Sequence, residues 1–261
     1  MPRDDDTGGH GREGVRRSLQ LMWGTPEEST RGPKPALTVE RIVRAAIDMA
    51  DAEGLTALSM RRIATALGAG AMSLYRYVPN KGVLIDLMVD EVYREDVTAA
   101  DAVRGDWRER LEAFARQEWA LYLRHPWMLQ VPQGRPMLGP NSMATTDISL
   151  RAVDDIGFTE DEMLAAVVTV SAFVSGLAKM IIEGMQASER TGIADDEWWE
   201  IQGEFVGPAV VAGKLPMLTK VGEAGAFNSM FDNFEFGLRC VLDGLGAQIA
   251  ARRATAADRE Q

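Results

Sequence analysis

The sequence predicts an all-α fold, and three observations support that prediction. Apolar residues recur at the helical spacing i, i+3, i+4 and i+7 in successive segments, and no segment alternates apolar and polar residues as a half-buried strand does. Residues that cap helices precede these segments, and glycine or proline follows them. With 46% hydrophobic and 26% charged residues among 261, the composition is that of a globular chain with one large or two smaller domains.

The first 37 residues are predicted to form a flexible N-terminal extension. Residues 1–14 are polar and rich in glycine, a composition that buries too little apolar surface to form a packed core. Further along, Pro33 and Pro35 hold a short basic stretch in an extended conformation that disfavours helix. By default, such a stretch is a linker to the first predicted helix.

The first predicted helix has Thr38 as its N-cap and runs to about Glu53. Threonine suits this position because its side-chain oxygen accepts a hydrogen bond from a free amide of the first turn. Gly54 follows and ends the helix. Six apolar residues keep the helical spacing and predict one buried face, namely Val39, Ile42, Val43, Ala46, Ile47 and Ala50.

Two short helices joined by a glycine-bearing turn are predicted between Ser59 and Val78. Ser59 is a candidate N-cap, and Gly68 ends the first of these helices because glycine adopts a left-handed conformation without a Cβ clash. After Pro79, Asn80 is the candidate cap of a longer helix. The apolar positions of that longer helix are Val83, Leu84, Leu87, Met88 and Val92.

The segment from Gly54 to Ile85 has no acidic residue, although the whole chain has a formal net charge of -11. Its cations and hydroxyl groups are typical of a surface that meets phosphate groups. Taken alone, the charge pattern also fits an ordinary helical hairpin with a solvated basic face. The cations are Arg61, Arg62, Arg76 and Lys81, and the hydroxyl groups of the second short helix and its end belong to Ser73, Tyr75 and Tyr77.

Residues Thr38 to about Tyr93 resemble the DNA-binding domain of the tetracycline-repressor (TetR) family of transcriptional regulators. The segments IVRAAIDMADAEG, LSMRRIATALG and MSLYRYVPNK carry the resemblance. The match is specific because it requires apolar, small, aromatic and basic residues in a fixed order over more than fifty positions. It implies a helix-turn-helix whose second helix enters the major groove of DNA.

The resemblance also implies two sets of DNA-contacting residues, one at phosphates and one at the bases or the groove wall. Gly70 and Ala71 are small, so base readout is expected to depend on Arg76, Tyr77 and the shape of the DNA. The expected phosphate contacts are Arg61, Ser73, Tyr75 and Lys81. The expected groove contacts are Gly70, Ala71, Met72, Arg76 and Tyr77.

A second interpretation of the basic stretch before the first helix follows from its position beside this domain. Under this interpretation, Arg31 and Lys34 form an arm that lies in the adjoining minor groove and adds affinity with little base specificity. The sequence leaves both interpretations open, the linker and the arm.

Beyond Tyr93, the sequence predicts a helical regulatory and dimerisation domain over residues 94–250 and a flexible tail over residues 251–261. His125-Pro126 ends the first helix of this domain, because the residue before proline disfavours the helical conformation. The predicted helices of the domain are Asp106–Arg124, Asn141–Ile156, Thr159–Ser188, which opens with a capping box, and Phe227–Ala250.

Two of these helices are predicted to pair with their counterparts in a second copy of the chain. Helix Thr159–Ser188 is apolar on more than one face, which indicates burial on more than one side. Helix-turn-helix proteins usually pair to read two half-sites, and the family resemblance implies a four-helix interface built from Thr159–Ser188 and Phe227–Ala250. The alternative is that both helices belong to the core of a monomer.

The resemblance further implies an effector pocket among the middle helices, whose ligand weakens DNA binding through a two-state switch. The chain has 14 methionines and 6 tryptophans, which suit a large, partly aromatic, apolar ligand. For any single residue, a place in a well-filled core is the alternative. The expected lining is Trp107, Phe114, Trp119, His125, Trp127, Met128, Phe173, Leu177, Met180 and Glu183.

Other function classes have little support in the sequence. Neither His10 nor His125 belongs to a nucleophile–base motif or a metal-ligand spacing, so no catalytic residue, metal or cofactor is predicted. A helical enzyme or carrier that keeps this shape, and a regulator controlled by a protein partner or by its own abundance, remain as alternatives. No membrane segment or signal peptide is predicted, and the single cysteine, Cys240, fits a reducing compartment such as the cytoplasm.

Overall fold

The computed structural model describes residues 11–24, 37–101, 103–132, 134–135, 137–229 and 233–259. These ranges are helical and contain no strand, which confirms the predicted all-α fold. Turns and short 3₁₀ segments join the twelve α-helices found there, which are α1 Arg12–Trp23, α2 Val39–Glu53, α3 Met60–Ala66, α4 Ala71–Tyr75, α5 Lys81–Asp101, α6 Trp107–Arg124, α7 Pro140–Ala152, α8 Glu160–Met185, α9 Ala187–Thr191, α10 Asp195–Val211, α11 Pro216–Glu223 and α12 Phe234–Arg259.

Helix α1 lies within the segment 1–37, for which we predicted a flexible extension, and the prediction is wrong for the residues of this helix. Gly14 and Ser18 stand four residues apart on one face of α1 and are buried, and the helix packs against α5. Small side chains at this spacing allow two helices to approach closely. The polar, glycine-rich residues before α1 hide this pattern in the sequence.

Helices α2, α3 and α5 begin where the sequence predicted. Thr38, Ser59 and Asn80 each accept a hydrogen bond from the amide three residues further on, over 3.2, 3.3 and 2.8 Å. Gly68 has a φ of +65°, the left-handed conformation expected where α3 ends. The side chains of Ile42, Ala46, Ile63, Leu74 and Val78 are among the fully buried ones of this region.

Helix α5 is the central element of a first compact unit, residues 1–167, and it packs against α1, α2, α6 and α7. The helix continues without a break through Tyr93, where we placed the boundary between the DNA-binding and regulatory domains. Helix α6 follows close to its predicted start, and Asp106 and Glu109 form a reciprocal capping box there. The predicted DNA-binding domain (residues 38–93) and the predicted regulatory domain (residues 94–250) therefore share one continuous helix, α5.

Helix α7 receives its N-terminal cap from α5. The buried Asp90 of α5 accepts hydrogen bonds from the amides of Asn141, at 3.1 Å, and Ser142, at 2.9 Å. A carboxylate at this position satisfies free amides and complements the positive end of the helix. Gly139 makes the approach possible, since a Cβ atom there would lie 2.2 Å from Asp90 Oδ1.

Helix α8 opens with the predicted capping box, in which Thr159 Oγ1 and Glu162 accept hydrogen bonds from each other's amide, at 3.4 and 2.9 Å. Among the described residues it is the one helix long and apolar enough to cross a membrane, and a third of its most apolar window is buried. The core helix of a soluble protein passes the same test. Its composition therefore identifies an apolar helix and does not by itself identify a membrane segment.

The second compact unit comprises residues 168–261 and contains the greater part of α8 and all of α9 to α12. Phe173 of α8 stacks on Phe234 of α12, with ring centroids 6.2 Å apart and planes at 26°. The predicted helix Phe227–Ala250 begins later, at Phe234, because a 3₁₀ turn occupies Ala226–Ser229. The same helix continues to Arg259, so most of the predicted flexible tail is helical.

Candidate nucleic-acid interface and effector site

Helix α4 is anchored on one side by the fully buried side chain of Leu74 and packs against α3. Immediately after it, the amides of Tyr77 and Val78 both donate to the carbonyl of Leu74 at 2.9 Å, and Val78 is also fully buried. At the other end, the carbonyl of Gly70 accepts from the amide of Ser73 at 2.9 Å. Burial and backbone hydrogen bonds thus fix both ends of this short helix.

The opposite face of α4 is exposed. Met72, Tyr75 and Arg76 are spaced i, i+3 and i+4, so they lie on one side of the helix, and Met72 is 79% exposed. Together they present an apolar, a hydroxyl and a cationic group, which are the groups that contact bases and phosphates in DNA grooves. Of the other predicted contacts, Arg61 and Gly70 are exposed, and Ala71, Ser73, Tyr77 and Lys81 are half-buried.

Arg62, one of the cations of the basic segment, has a structural role. Its guanidinium donates to both carboxylate oxygens of Glu53, at 2.7 and 2.9 Å, and to the carbonyl of Ala57 at 3.0 Å. The hydrogen bond and the charge of Arg62 lower the pKa of Glu53. Arg62 therefore ties α3 to the end of α2. Its neighbour Arg61 is exposed, as Arg62 is.

Lys81 stands at the first turn of α5, and its ammonium donates to the carbonyl of Leu55 at 3.3 Å. An ammonium has three donors, so this contact positions the group and leaves two donors for a phosphate. Arg31 and Lys34, the predicted arm residues, lie outside the described residues.

Asp51 joins α2 to the 3₁₀ turn Pro126–Gln130 that follows α6. Its Oδ1 accepts a hydrogen bond from Trp127 Nε1 at 2.7 Å and lies 2.8 Å from His125 Nδ1. Both partners are buried, and their rings meet edge to face. Two residues that we predicted in the effector pocket thus hold the first helix of the DNA-binding region. No local sequence signal marks Asp51, because its partners are more than seventy positions away.

The remaining predicted pocket residues occupy different environments. Phe114 borders a cavity of about 120 Å³ between α6 and α7, and it is the only one of the ten that does so. Phe173 packs against Phe234. Of the rest, Met128 is buried, Trp107, Trp119 and Leu177 are half-buried, and Met180 and Glu183 are exposed.

A buried polar pair on α6 was not predicted from the sequence. The hydroxyl of Tyr122 donates to Glu118 Oε1 at 3.2 Å, and both residues are buried. Burial, together with the charge of Glu118, raises the pKa of Tyr122 far above its ordinary value. Their spacing of four residues on a helix was the available signal, but apolar residues surround them in the sequence.

Comparisons with known families match both parts of the chain. A family described as bacterial regulatory proteins, tetR family, matches residues 42–88. A second family, described as Tetracyclin repressor-like, C-terminal domain, matches residues 100–249. The first match contains the anchored α4 and its exposed face, and the second contains α6 to α11 and part of α12.

Individual relatives agree with this assignment. The chain is 44% identical to the HTH-type transcriptional repressor DrrR1 of Streptomyces coeruleorubidus, over 98% of this chain and 97% of the relative. It is 29% identical to the class A tetracycline repressor from transposon 1721 of Escherichia coli, over 78% and 88%. The solved structure of ActR from Streptomyces coelicolor in complex with actinorhodin aligns with a TM-score of 0.65 and 30% identity, covering 84% of this chain and 99% of that one. The chain therefore belongs to the TetR family of transcriptional regulators, and it is a repressor-type DNA-binding protein and not an enzyme.

Proposed function

We propose that the chain binds operator DNA as a homodimer in the cytoplasm and that a small, largely apolar effector releases it. The exposed face of α4, with Met72, Tyr75 and Arg76 on a helix anchored by Leu74, is the observation that carries the proposal. No acidic residue between Gly54 and Ile85 opposes the approach of phosphates to this face.

Within this proposal, the two sides of the interface have different tasks. Arg76 and Tyr77, with Met72, read the groove, while the small Gly70 and Ala71 allow close approach of the backbone. The arm residues keep their proposed place in the minor groove. The phosphate contacts are Arg61, Ser73, Tyr75 and Lys81, and the arm residues in the minor groove are Arg31 and Lys34.

Dimerisation through α8 and α12 is supported by apolar side chains that a single chain leaves in water. Val168 and Met180 of α8 are 55% and 42% exposed, and Phe236 of α12 is 63% exposed. Burying such groups is favourable by about 25 cal/mol per Å². TetR-family proteins bind DNA as dimers, and a two-fold pair presents two copies of α4 to two half-sites.

An effector site among the middle helices is supported by the cavity beside Phe114 and by the ActR complex with actinorhodin. A cavity of about 120 Å³ is smaller than the roughly 300–1,000 Å³ of typical ligand pockets, so a large ligand must separate α6 from α7 to enter. This movement would reach the DNA-binding region through the contact of Trp127 with Asp51. The alternative, a regulator without a small-molecule ligand, needs no such movement.

DNA binding is tested by selecting bound sequences from a random duplex library and then titrating the selected operator. Wild-type protein is expected to select a palindrome, and Arg76→Gln to bind it at least tenfold more weakly, since one good base contact is worth about 1–3 kcal/mol. Arg190→Gln, an exposed arginine on α9, is the matched control and should bind as wild type. Failure of wild-type protein to select any sequence in dilute buffer would overturn the proposal.

The effector proposal is tested by titrating the protein–operator complex with a panel of apolar aromatic compounds. A ligand that favours one state must weaken DNA binding by the same factor by which DNA weakens ligand binding. Release of DNA together with this reciprocity would support an effector. If no compound of the panel both binds the free protein and releases DNA, the regulator without a ligand becomes the better account.

A further inference from the structure

Helix α1 lies before both segments that match the family models, the first of which begins at residue 42. It is nevertheless fixed to the protein at two points. Ser18, fully buried, donates to Asp86 Oδ2 of α5 at 2.6 Å, and Trp23 Nε1 donates to the carbonyl of Leu138 at 2.8 Å. These contacts and its packing against α5 give α1 a defined orientation.

The two anchor points show that α1 and α5 run in the same direction. Ser18 meets α5 at Asp86, and Trp23 meets Leu138 in the loop whose next residue abuts Asp90. Moving from Ser18 to Trp23 along α1 therefore corresponds to moving from Asp86 towards Asp90 along α5. The first turns of the two helices lie at the same end of the pair.

This end of the pair is the one that carries Lys81, a proposed phosphate contact. Gly14 in the first turn of α1 and Gly82 in the first turn of α5 are both buried, as close packing at this end requires. Arg12 and Arg16 lie on the first two turns of α1, on either side of Gly14 in the sequence, and both are exposed. Within the described part of the chain, neither guanidinium has an ion pair or a hydrogen bond.

The charge of α1 differs in sign from that of the protein. The helix has three arginines, Arg12, Arg16 and Arg17, and one acidic residue, Glu13, in a chain whose net charge is -11. A second basic segment, Gly54 to Ile85, contains the DNA-contacting residues proposed above from Arg61 to Lys81. Two basic segments at one end of an acidic protein favour the approach of a polyanion at that end.

We propose that the exposed arginine face of α1, Arg12 and Arg16, is an additional phosphate-binding surface that contacts the DNA backbone beside the half-site read by α4. This inference rests on the proposed DNA-binding function. The contacts extend the footprint on the duplex and add affinity that does not depend on base sequence, because phosphates carry no sequence information.

The test measures the affinity of the full-length protein for its selected operator against salt concentration, with short and long flanking sequence. Each phosphate contact contributes about 0.9 to the slope of log K against log salt. A dimer has two such arginines in each of two subunits. Arg12→Gln/Arg16→Gln should therefore make the slope less steep, reducing its magnitude by about 3 to 4. The double variant should also bind the long duplex roughly tenfold or more weakly at moderate salt.

Matched variants separate this surface from a structural effect. Glu13→Gln, on the same helix, should bind DNA as tightly as wild type or more tightly. Ser18→Ala keeps both arginines but loses the hydrogen bond to Asp86, so it should lose part of the affinity for the long duplex only. The thermal unfolding of Arg12→Gln/Arg16→Gln should match that of wild type, because both side chains are exposed.

The outcomes distinguish the two proposals. If wild-type protein binds its operator and the double variant has the same salt slope and affinity on both duplexes, the surface on α1 is refuted and the α4 interface stands. If wild-type protein retards no DNA, the proposed function itself fails. A loss confined to the long duplex supports a contact in the flanking backbone.

Discussion

Trp127 donates its indole N–H to the carboxylate of Asp51 over 2.7 Å, and this bond joins the 3₁₀ turn after α6 to α2, the first helix of the DNA-binding region. Trp127 is 1% exposed, so no solvent molecule can replace the acceptor without rearrangement. His125 lies 2.8 Å from the same oxygen. A single carboxylate thus serves two buried rings, and its loss affects both at once.

We expect Asp51→Ala to lower the free energy of unfolding by about 1–3 kcal/mol, the cost of leaving a buried donor without a partner. Asp51→Asn keeps an acceptor oxygen and should lose less. Urea unfolding of both variants measures the difference, and Trp127→Phe in the Asp51→Ala background should cost less than in wild type because the pair is already broken. Equal stability of Asp51→Ala and wild type would show that the bond contributes nothing.

Substitutions at the neighbouring residues Leu74 and Tyr75 of α4 are expected to have different effects on stability and on DNA binding. Leu74 is fully buried, so Leu74→Ala should cost about 2–5 kcal/mol and abolish DNA binding by unfolding the helix. Tyr75 is exposed, so Tyr75→Phe should leave the unfolding transition unchanged and weaken DNA binding through one lost phosphate contact. Circular dichroism melting and operator titration measure the two effects, and a folded Leu74→Ala with normal binding would contradict the packing of α4.

The helices and their caps could be predicted because their signals are local. Thr38, Ser59 and Asn80 cap helices in the structure as the sequence indicated, each through a hydrogen bond across three positions. Each of these caps depends on residues that are close in the chain. The groups that α4 presents, with Met72 and Arg76 among them, were implied by the family resemblance.

The features that sequence reasoning missed depend on distant partners. The helical pattern of α1 stands beside a glycine-rich segment, and its stability comes from α5, with Ser18 bonded to Asp86, 68 positions away. Likewise, His125 and Trp127 have the composition of a ligand pocket, but their acceptor is on α2. Residue type alone does not distinguish a pocket from a joint between helices, since both are apolar with a few polar groups.

Replacing each of two glycines of α12 by alanine is expected to change the free energy of unfolding in opposite directions. A Cβ at Gly237 would lie 2.4 Å from the ring of Phe173, so Gly237→Ala must displace that ring from its stack on Phe234. We expect a loss of about 1–3 kcal/mol from overpacking. Gly244 has no atom within 4 Å of such a Cβ, so Gly244→Ala should stabilise by about 0.5–1 kcal/mol through helix propensity. Chemical denaturation compares them, and a stabilising Gly237→Ala would contradict the contact.

The pair formed by Glu53 and Arg62 predicts a dependence of stability on pH. Arg62 lowers the pKa of Glu53 below its ordinary value of 4.5, so the folded state binds fewer protons than the unfolded state in that range. The contribution of the pair is therefore complete above pH 4.5 and is lost as pH falls through the folded-state pKa. Glu53→Gln should be less stable than wild type at neutral pH, and the difference should shrink on acidification. A difference that stays constant to low pH would show that the ion pair does not titrate as described.

Phe236 and Cys240 stand four residues apart on α12, so they share one face of the helix, and both are exposed in the single chain. If this face is buried between two copies, Phe236→Glu should convert the dimer to a monomer, as measured by light scattering after size exclusion. The fold should persist, because the side chain has solvent space in one chain. Leu123→Glu, which changes an exposed leucine of α6, should leave the dimer intact.

Cys240 should then react with a maleimide faster in Phe236→Glu than in wild type, since only the monomer leaves the thiol open. Equal reaction rates, or a wild-type monomer at micromolar concentration, would place the subunit contact elsewhere.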